Sequence, residues 1–162
     1  MQSNESLNQS QYEQVMSCLT DLAQKLKLNA VILVNSAGRI LAERISKSTQ
    51  METTVLATLA SGTFAASNEM IRQLGENNNV RMMLHEGEKQ NVFISSITDE
   101  IFLVIVFKTE VALGMVRLYA KRTLGQLQTI LNQSDLNQFE EIFDKHFEEL
   151  LSEKLDQTFL GE

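Results

Sequence analysis

Few residues could carry acid–base or metal chemistry, and none of them has the spacing of a catalytic or metal-binding motif. The two histidines, His85 and His146, are far apart in the sequence, and neither belongs to a metal-ligand spacing such as HxxxH. The adjacent pairs Glu140-Glu141 and Glu148-Glu149 lie in a helical pattern, where neighbouring side chains point in different directions. They indicate a solvated helix face rather than a general acid and base. We expect no catalytic residue and no metal site.

Cofactor and disulfide chemistry is also unsupported by the sequence. Cys18 is the single cysteine, which excludes an internal disulfide and a cysteine cluster for zinc. Neither GxxxxGKS/T nor GxGxxG occurs, so no glycine-rich loop is available to cradle a phosphate. We therefore expect a protein that is not an enzyme and that needs no cofactor.

The charge distribution narrows the class of partner. The net charge is −7, and residues 135–162 account for all of it, because the acids and bases elsewhere cancel. No basic stripe with interleaved aromatic residues appears, so nucleic acid and an anionic membrane surface are poor partners. The longest apolar run, Ile101 to Phe107, cannot span a bilayer, and the polar N-terminus does not resemble a signal peptide. We expect a cytoplasmic protein without membrane insertion that binds another protein.

The spacing of apolar residues along the sequence predicts the helices and strands on which any binding surface must lie. With 162 residues and 43% hydrophobic content, the chain can bury one ordinary core. We expect a flexible N-terminus over residues 1–10, one domain over 11–132 and an acidic amphipathic helix over 133–162. The predicted helices are about Gln9–Leu28, Met51–Leu74, Val111–Leu131 and Asp135–Phe159, and the predicted strands are AVILV, RILAERIS, VRMMLHE, NVFISSI and IFLVIVF.

The strand sequences predict their own positions in a sheet. AVILV and IFLVIVF are apolar on both faces, which is typical of central strands, whereas RILAERIS and VRMMLHE alternate and belong at the edges. The segment Asn35-Ser-Ala-Gly38 has the composition of a tight turn closed by a left-handed glycine. These patterns predict an α+β fold with a largely antiparallel five-stranded sheet in the order 2-1-5-4-3.

The second helix offers the strongest candidate binding surface. We expect Leu56, Leu59, Ala60, Phe64, Met70, Ile71 and Leu74 to face the sheet. The opposite side then presents small and polar residues: Thr54, Thr58, Ser61, Gly62, Ala65, Glu69 and Arg72. A glycine inside a helix costs about 0.5–1 kcal/mol relative to alanine, so Gly62 favours close contact with another backbone. A merely solvated surface is the alternative.

Two further surfaces complete the predicted interaction sites. One helix cannot cover a whole face of five strands, so we expect dimerisation through the second helix and the edge strand with Arg81, Met83 and His85. The C-terminal helix has an apolar stripe that includes Phe139, Phe143, Phe147 and Leu150. This accessory helix either docks on its own dimer or acts as an arm that binds a partner.

Three stretches, in this order, closely resemble the Roadblock dynein-light-chain family: AVILVNSAGRILAE, METTVLATLASGTFAASNEMIRQLG and NVFISSITDEIFLVIVFKTEVALGMVRLYAKRTL. The most specific features are the hairpin Asn35-x-x-Gly38 between apolar strands and the Leu113-Gly114-x-Val116-Arg117 opening of the third helix. The resemblance covers about residues 11–131 and is greatest to the bacterial MglB-type members, which carry an extra C-terminal helix. The family more often has Asp at the position of Asn35, and the change keeps the turn chemistry.

The resemblance implies a homodimer that binds a Ras-like small GTPase of the MglA type. Such a protein stimulates GTP hydrolysis by reordering the switch regions of the GTPase, and it supplies no catalytic arginine. The small face of the second helix, together with Glu69, would lie near the dimer and GTPase contacts. A dimeric scaffold or adaptor of the same fold, without effect on hydrolysis, is the alternative.

Overall fold

The computed structural model describes residues 6–159, with side chains described for residues 6–133 and 145–156. Residues 1–5, part of the predicted flexible N-terminus, lie outside the described residues. The elements are α1 (Gln9–Leu26), β1 (Ala30–Asn35), β2 (Ile40–Ile45), α2 (Thr53–Gln73), β3 (Met82–Glu86), β4 (Gln90–Ser96), β5 (Ile101–Lys108) and α3 (Leu113–Phe159). The chain divides into two compact units between Gln128 and Thr129. The first contains α1, α2, the sheet and the beginning of α3, and the second contains the rest of α3.

The five strands form one antiparallel sheet in the order β2-β1-β5-β4-β3. This result confirms the predicted α+β class and strand order. β1 pairs with β5 along its whole length, from Ala30 opposite Val106 to Asn35 opposite Ile101. Every residue of β1 is buried, because helices cover both faces of the central strands.

One face of the sheet packs against α2. Ala57 and Ala60 are small enough to let the helix approach the strands closely, and Phe64 stacks on Phe102 of β5 with ring centroids 5.0 Å apart. These residues form one buried cluster with strand residues that include Ile32 and Val104. A single helix therefore fixes this face of the central strands.

The opposite face carries the alternate residues of the same strands. Val31, Leu33 and Leu103 are fully buried but belong to no cluster with α2, so they face the other way. α1 and the beginning of α3 cover them. The buried residues of these two helices include Val15, Leu19 and Leu22 in α1 and Val116, Ala120 and Leu127 in α3.

The turn between β1 and β2 has the predicted geometry. Gly38 adopts a positive φ of 81°, which an L side chain rarely tolerates. The Asn35 side chain accepts hydrogen bonds from the backbone N–H groups of Ala37, at 3.1 Å, and Arg39, at 2.9 Å. An Asx-type contact and a left-handed glycine together reverse the chain in this short segment.

The C-terminal part of the chain differs from the expected helix boundaries. A single helix, α3, spans Leu113–Phe159, where the sequence predicts a third helix to Leu131 and an added helix from Asp135. Among the connecting residues, Asn132 and Ser134 suit helix caps, but these two and Gln133 each cost only about 0.7 kcal/mol or less inside a helix. No glycine or proline lies among them, so the helix is not obliged to end.

Candidate functional site

The outward side of α2 is more apolar than a solvated helix face requires. Leu59 and Met70 are each 63% exposed, and Val55 is also exposed. Gly62 and Ala66 lie between them along the same line, at spacings of three and four residues. These five residues form a continuous apolar surface, which we call the outer stripe of α2. Such a surface on a helix commonly marks a contact with another protein.

The predicted orientation of α2 was wrong for three large residues. Leu59, Met70 and Leu74 are exposed, although they were expected to cover the sheet. The inward side is formed instead by residues that include Ala57, Ala60 and Phe64. Because α2 lies close to the strands, most positions on its inward side have space only for alanine. The longer side chains therefore lie on the outward side.

Of the seven residues predicted for the small face of α2, six are exposed and one is buried. Ser61 was expected to point outward, but it is buried, and its hydroxyl donates a hydrogen bond to the backbone carbonyl of Ser36. Ser61 therefore fastens α2 to the turn between β1 and β2. The other predicted residues are exposed: Thr54, Thr58, Gly62, Ala65, Glu69 and Arg72.

Gly62 lies in open space among the residues that the structure describes. A Cβ atom built at this position meets nothing within 4 Å. Gly38 differs, because a Cβ there would lie 3.3 Å from the Thr58 Cα in addition to requiring a positive φ. Packing among the described residues therefore does not require a glycine at position 62, although glycine is unfavourable inside a helix.

The polar residues at the end of the outer stripe contact one another. Arg72 Nη1 lies 3.0 Å from Glu69 Oε2, and Gln73 donates to Glu69 Oε1 at 2.7 Å. Both members of the ion pair are more than half exposed, so the pair contributes little to stability. Its geometry presents a fixed pair of charges beside the apolar stripe.

β3 supplies a second surface next to α2. Within the described sheet, β3 pairs with β4 and with no other strand, so its outer edge has unpaired backbone groups. Met83 lies opposite Ile94 and packs against the cluster beneath α2. Arg81 and His85 lie two residues to either side, on the same face, and both are exposed. All three predicted edge residues therefore face the α2 side of the sheet.

One residue that joins α2 to β3 was not predicted from the sequence. Asn68 is buried in α2, and its Oδ1 accepts a hydrogen bond from the Val80 backbone N–H at 2.7 Å. This bond holds the segment that leads into β3 against the helix. An asparagine four residues after Phe64, on the inward face, was the signal, because a buried amide needs a partner.

The second unit exposes its own apolar residues. Phe147 is 57% exposed, and Leu150, Leu151 and Leu155 are about equally exposed. The side chains of Phe139 and Phe143, also predicted for this accessory surface, lie outside the described residues.

Metal-binding clusters and membrane-spanning helices are absent from the residues that the structure describes. In that part of the chain no three acidic, cysteine or histidine side chains come close enough to hold a metal ion. None of its helices is apolar enough over a sufficient length to cross a bilayer.

Burial raises the pKa of the Cys18 thiol, and the carboxylate of Asp21 raises it further. The thiol is therefore a weak nucleophile near neutral pH.

Comparison with known proteins identifies the domain. The Roadblock/LC7 domain profile matches residues 18–107, which is more than half of the chain. An uncharacterized protein from Aquifex aeolicus (strain VF5) is 27% identical over 134 residues, which cover 82% of this chain and 81% of that protein.

Solved structures of MglB have a similar fold. One structure, of MglB in a tetrameric arrangement, has a TM-score of 0.75 and 24% identity, and the match covers 82% of this chain and 98% of that one. MglB from Myxococcus xanthus has a TM-score of 0.71 and 25% identity, with 75% of this chain and 98% of that chain covered.

Proposed function

The chain belongs to the Roadblock/LC7 domain family, and we propose that it is a homodimeric regulator that binds a Ras-like small GTPase of the MglA type. On this proposal it is not an enzyme and stimulates GTP hydrolysis by reordering the switch regions of the GTPase. The observation that carries the proposal is the outer stripe of α2 beside the open edge of β3. The similarity to MglB structures supports it.

The dimer would form through the outer stripe of α2 and the β3 edge. A two-fold axis brings the same patch of each copy together, so an apolar patch covers its own equivalent. Burying a leucine such as Leu59 contributes about 1.5–3 kcal/mol relative to leaving it exposed. Gly62 and Ala66 allow the two helices to approach closely, and pairing of the β3 edges would satisfy exposed backbone groups.

The GTPase would bind on the surface that two copies of α2 form together. The exposed small and charged residues beside the stripe, including Thr58, Ala65 and Glu69, are candidates for this contact. Arg72 already pairs with Glu69, which argues against its use as a catalytic arginine in the GTPase. On this proposal the regulator acts by positioning groups of the GTPase itself.

GTP turnover by candidate small GTPases, measured with and without this protein, tests the proposal. We expect the wild-type protein to raise the rate, and Leu59→Arg to abolish the increase. The matched control is Tyr12→Arg, which places the same charge at an exposed apolar residue of α1, on the other side of the sheet. Binding without any rate increase would support the dimeric adaptor instead. No binding to any candidate GTPase would contradict the proposed function.

A further inference from the structure

The sheet has two outer edges, and the hydrogen bonds beside each edge show which backbone groups are directed outward. At β3, the Arg81 carbonyl accepts a hydrogen bond from the Ser96 N–H, so Arg81 bonds toward β4. Residues of an antiparallel strand bond alternately to one side and to the other. The backbone groups of alternate residues in β3 therefore point to the open edge: Met82, Leu84 and Glu86.

The β2 edge can be assigned in the same way. The Ser46 N–H donates to the Asn29 carbonyl, so Ser46 bonds toward β1. By the same alternation, Ile45 and Glu43 direct their backbone groups outward. Within the described sheet β2 pairs with β1 alone and β3 with β4 alone. Each edge therefore has backbone donors and acceptors that another strand could use.

The β3 edge is regular and has an apolar centre. Every residue from Met82 to Glu86 pairs with β4 in one unbroken register. Met82, Met83 and Leu84 follow one another in the strand, and Met83 packs against the cluster beneath α2. A straight edge with apolar side chains at its centre is a good template for a second strand.

The β2 edge is irregular by comparison. Leu33 of β1 lies opposite Ala42. The next residue, Val34, lies opposite Ile40, so Leu41 has no partner in β1. This extra residue is a β-bulge, which bends the strand and increases its twist. The bulge makes β2 a poorer template, because an added strand needs a regular row of donors and acceptors.

Glu43 places an acid in the middle of the β2 edge. It lies opposite Ile32, a member of the cluster beneath α2, so its side chain lies on the α2 side of the sheet. Ile40 and Ile45 lie on the same side and pack against that cluster. Glu43 Oε2 is shielded from solvent and accepts no hydrogen bond from the residues that the structure describes. The rest of this partly buried side chain is within reach of water, which a strand added to β2 would remove.

A second copy of β2 would bring two such acids together. Two antiparallel registers use the outward backbone groups of Glu43: one pairs Glu43 with its own equivalent, and the other pairs it with Ile45. Side chains directly opposite lie about 4.5–5.5 Å apart at Cβ, and diagonal neighbours lie about 7–8 Å apart. Either register therefore places two carboxylates near each other on one face of the sheet, where like charges are destabilising.

We propose that Glu43 closes the β2 edge to other copies of this chain and so confines pairing to the β3 edge. The inference rests on the proposed function in one respect: a dimer with paired β3 edges has a β2 edge at each end of its joined sheet. Pairing at those ends would repeat from one dimer to the next and build an open filament. With Glu43 in place, growth of the sheet stops at two chains.

Sedimentation equilibrium of the full chain at several concentrations tests this role. Glu43→Val replaces the acid with an apolar residue that favours strands. We expect a mass of about twice the wild-type value or more, which rises with protein concentration. The matched control is Glu13→Val, which removes the same charge from an exposed position of α1 and should keep the wild-type mass. A wild-type mass for Glu43→Val, or equal growth of the two variants, overturns the proposal.

A cross-link locates the new contact and distinguishes it from misfolding. Arg44 is exposed and adjacent to Glu43, so its equivalents come close in both registers. In a protein with Cys18→Ala and Arg44→Cys, adding Glu43→Val should increase cross-linking by a short thiol reagent about tenfold. Glu13→Cys in place of Arg44→Cys should show no such increase. An equal increase at both positions would indicate general aggregation and would overturn the proposal.

Leu59→Arg separates this inference from the proposed dimer. With the α2 interface disrupted, the double variant Glu43→Val with Leu59→Arg can pair through β2 alone, so its mass should be about twice that of Leu59→Arg. A double variant with the mass of Leu59→Arg at every concentration would overturn the role of Glu43 and leave the proposed function intact. Growth of Glu43→Val that stops at a pair, with or without Leu59→Arg, would support the role of Glu43 and reject the α2 interface.

Discussion

The Ser61 hydroxyl donates a hydrogen bond to the backbone carbonyl of Ser36, and this contact joins α2 to the turn between β1 and β2. Gly38 of the same turn faces the Thr58 Cα at a distance that leaves little space for a side chain. The turn thus acts as a support for the helix that carries the candidate interface.

Removing the Ser61 hydroxyl should destabilise the fold. Ser61→Ala leaves the Ser36 carbonyl without its partner, and we expect a loss of about 1–2 kcal/mol in the free energy of unfolding, measured in urea. Thr63→Ala is the matched control, since the Thr63 hydroxyl bonds only to the Leu59 carbonyl of its own helix. Equal losses for the two variants would show that the contact between Ser61 and Ser36 has no special role.

The close packing around Gly38 can be tested by comparing the effect of an alanine there with the effect of an alanine at Gly75. Gly75 has nearly the same φ, 83°, but a Cβ built there meets nothing within 4 Å. Gly75→Ala should therefore cost only the strain of the positive φ, about 1 kcal/mol. Gly38→Ala should cost more, because the added methyl also crowds the Thr58 backbone. Equal unfolding free energies for the two variants would contradict close packing of the turn on α2.

Gly62 should show opposite effects on folding and on association. Gly62→Ala meets no obstacle within the chain, so we expect the folded monomer to gain about 0.5–1 kcal/mol. The same methyl would separate two α2 helices at the proposed interface and weaken the dimer. Unfolding at low protein concentration and the dissociation constant measure the two effects separately. A variant that folds better and associates as tightly as wild type would remove Gly62 from the interface.

Cys18 should react slowly with thiol reagents. Because burial and then Asp21 raise its pKa, less thiolate is present at about pH 8 than in a free cysteine. The rate should increase as the pH rises toward the elevated pKa, and urea-unfolded protein should react at the ordinary rate. Asp21→Asn removes only the smaller cause and should accelerate the reaction modestly. A native rate equal to that of free cysteine would contradict this environment.

Since the folded state holds the Cys18 thiol proton more tightly than the unfolded state does, the contribution of Cys18 to stability is present below its unfolded pKa. This contribution is lost as the pH rises through the folded pKa.

The strand order could be predicted because strand position depends on simple burial. β1 is apolar from Ala30 to Val34, and β5 is apolar from Ile101 to Phe107. A strand covered by helices on both faces needs apolar residues at successive positions, so the central placement of these two strands could be predicted from the sequence. The hairpin turn could also be predicted, because Gly38 tolerates a positive φ and the Asn35 side chain accepts hydrogen bonds from nearby backbone N–H groups.

The orientation of α2 could not be predicted from periodicity. This helix has large apolar residues on two sides, so a 3.6-residue repeat fits more than one inward face. The distance between helix and sheet selects the face with Ala57 and Ala60, and that distance is a property of the packed fold. The buried bond of Asn68 depends on the path of the chain before β3, which local sequence does not define.

The particle mass of the full chain in solution tests the central claim most directly. Sedimentation equilibrium should give the wild-type protein at least twice the 18.3 kDa of one chain. Leu59→Arg should lower the wild-type mass, and Tyr12→Arg should leave it unchanged. A wild-type mass of one chain, or an unchanged mass for Leu59→Arg, would contradict an interface formed by the outer stripe of α2.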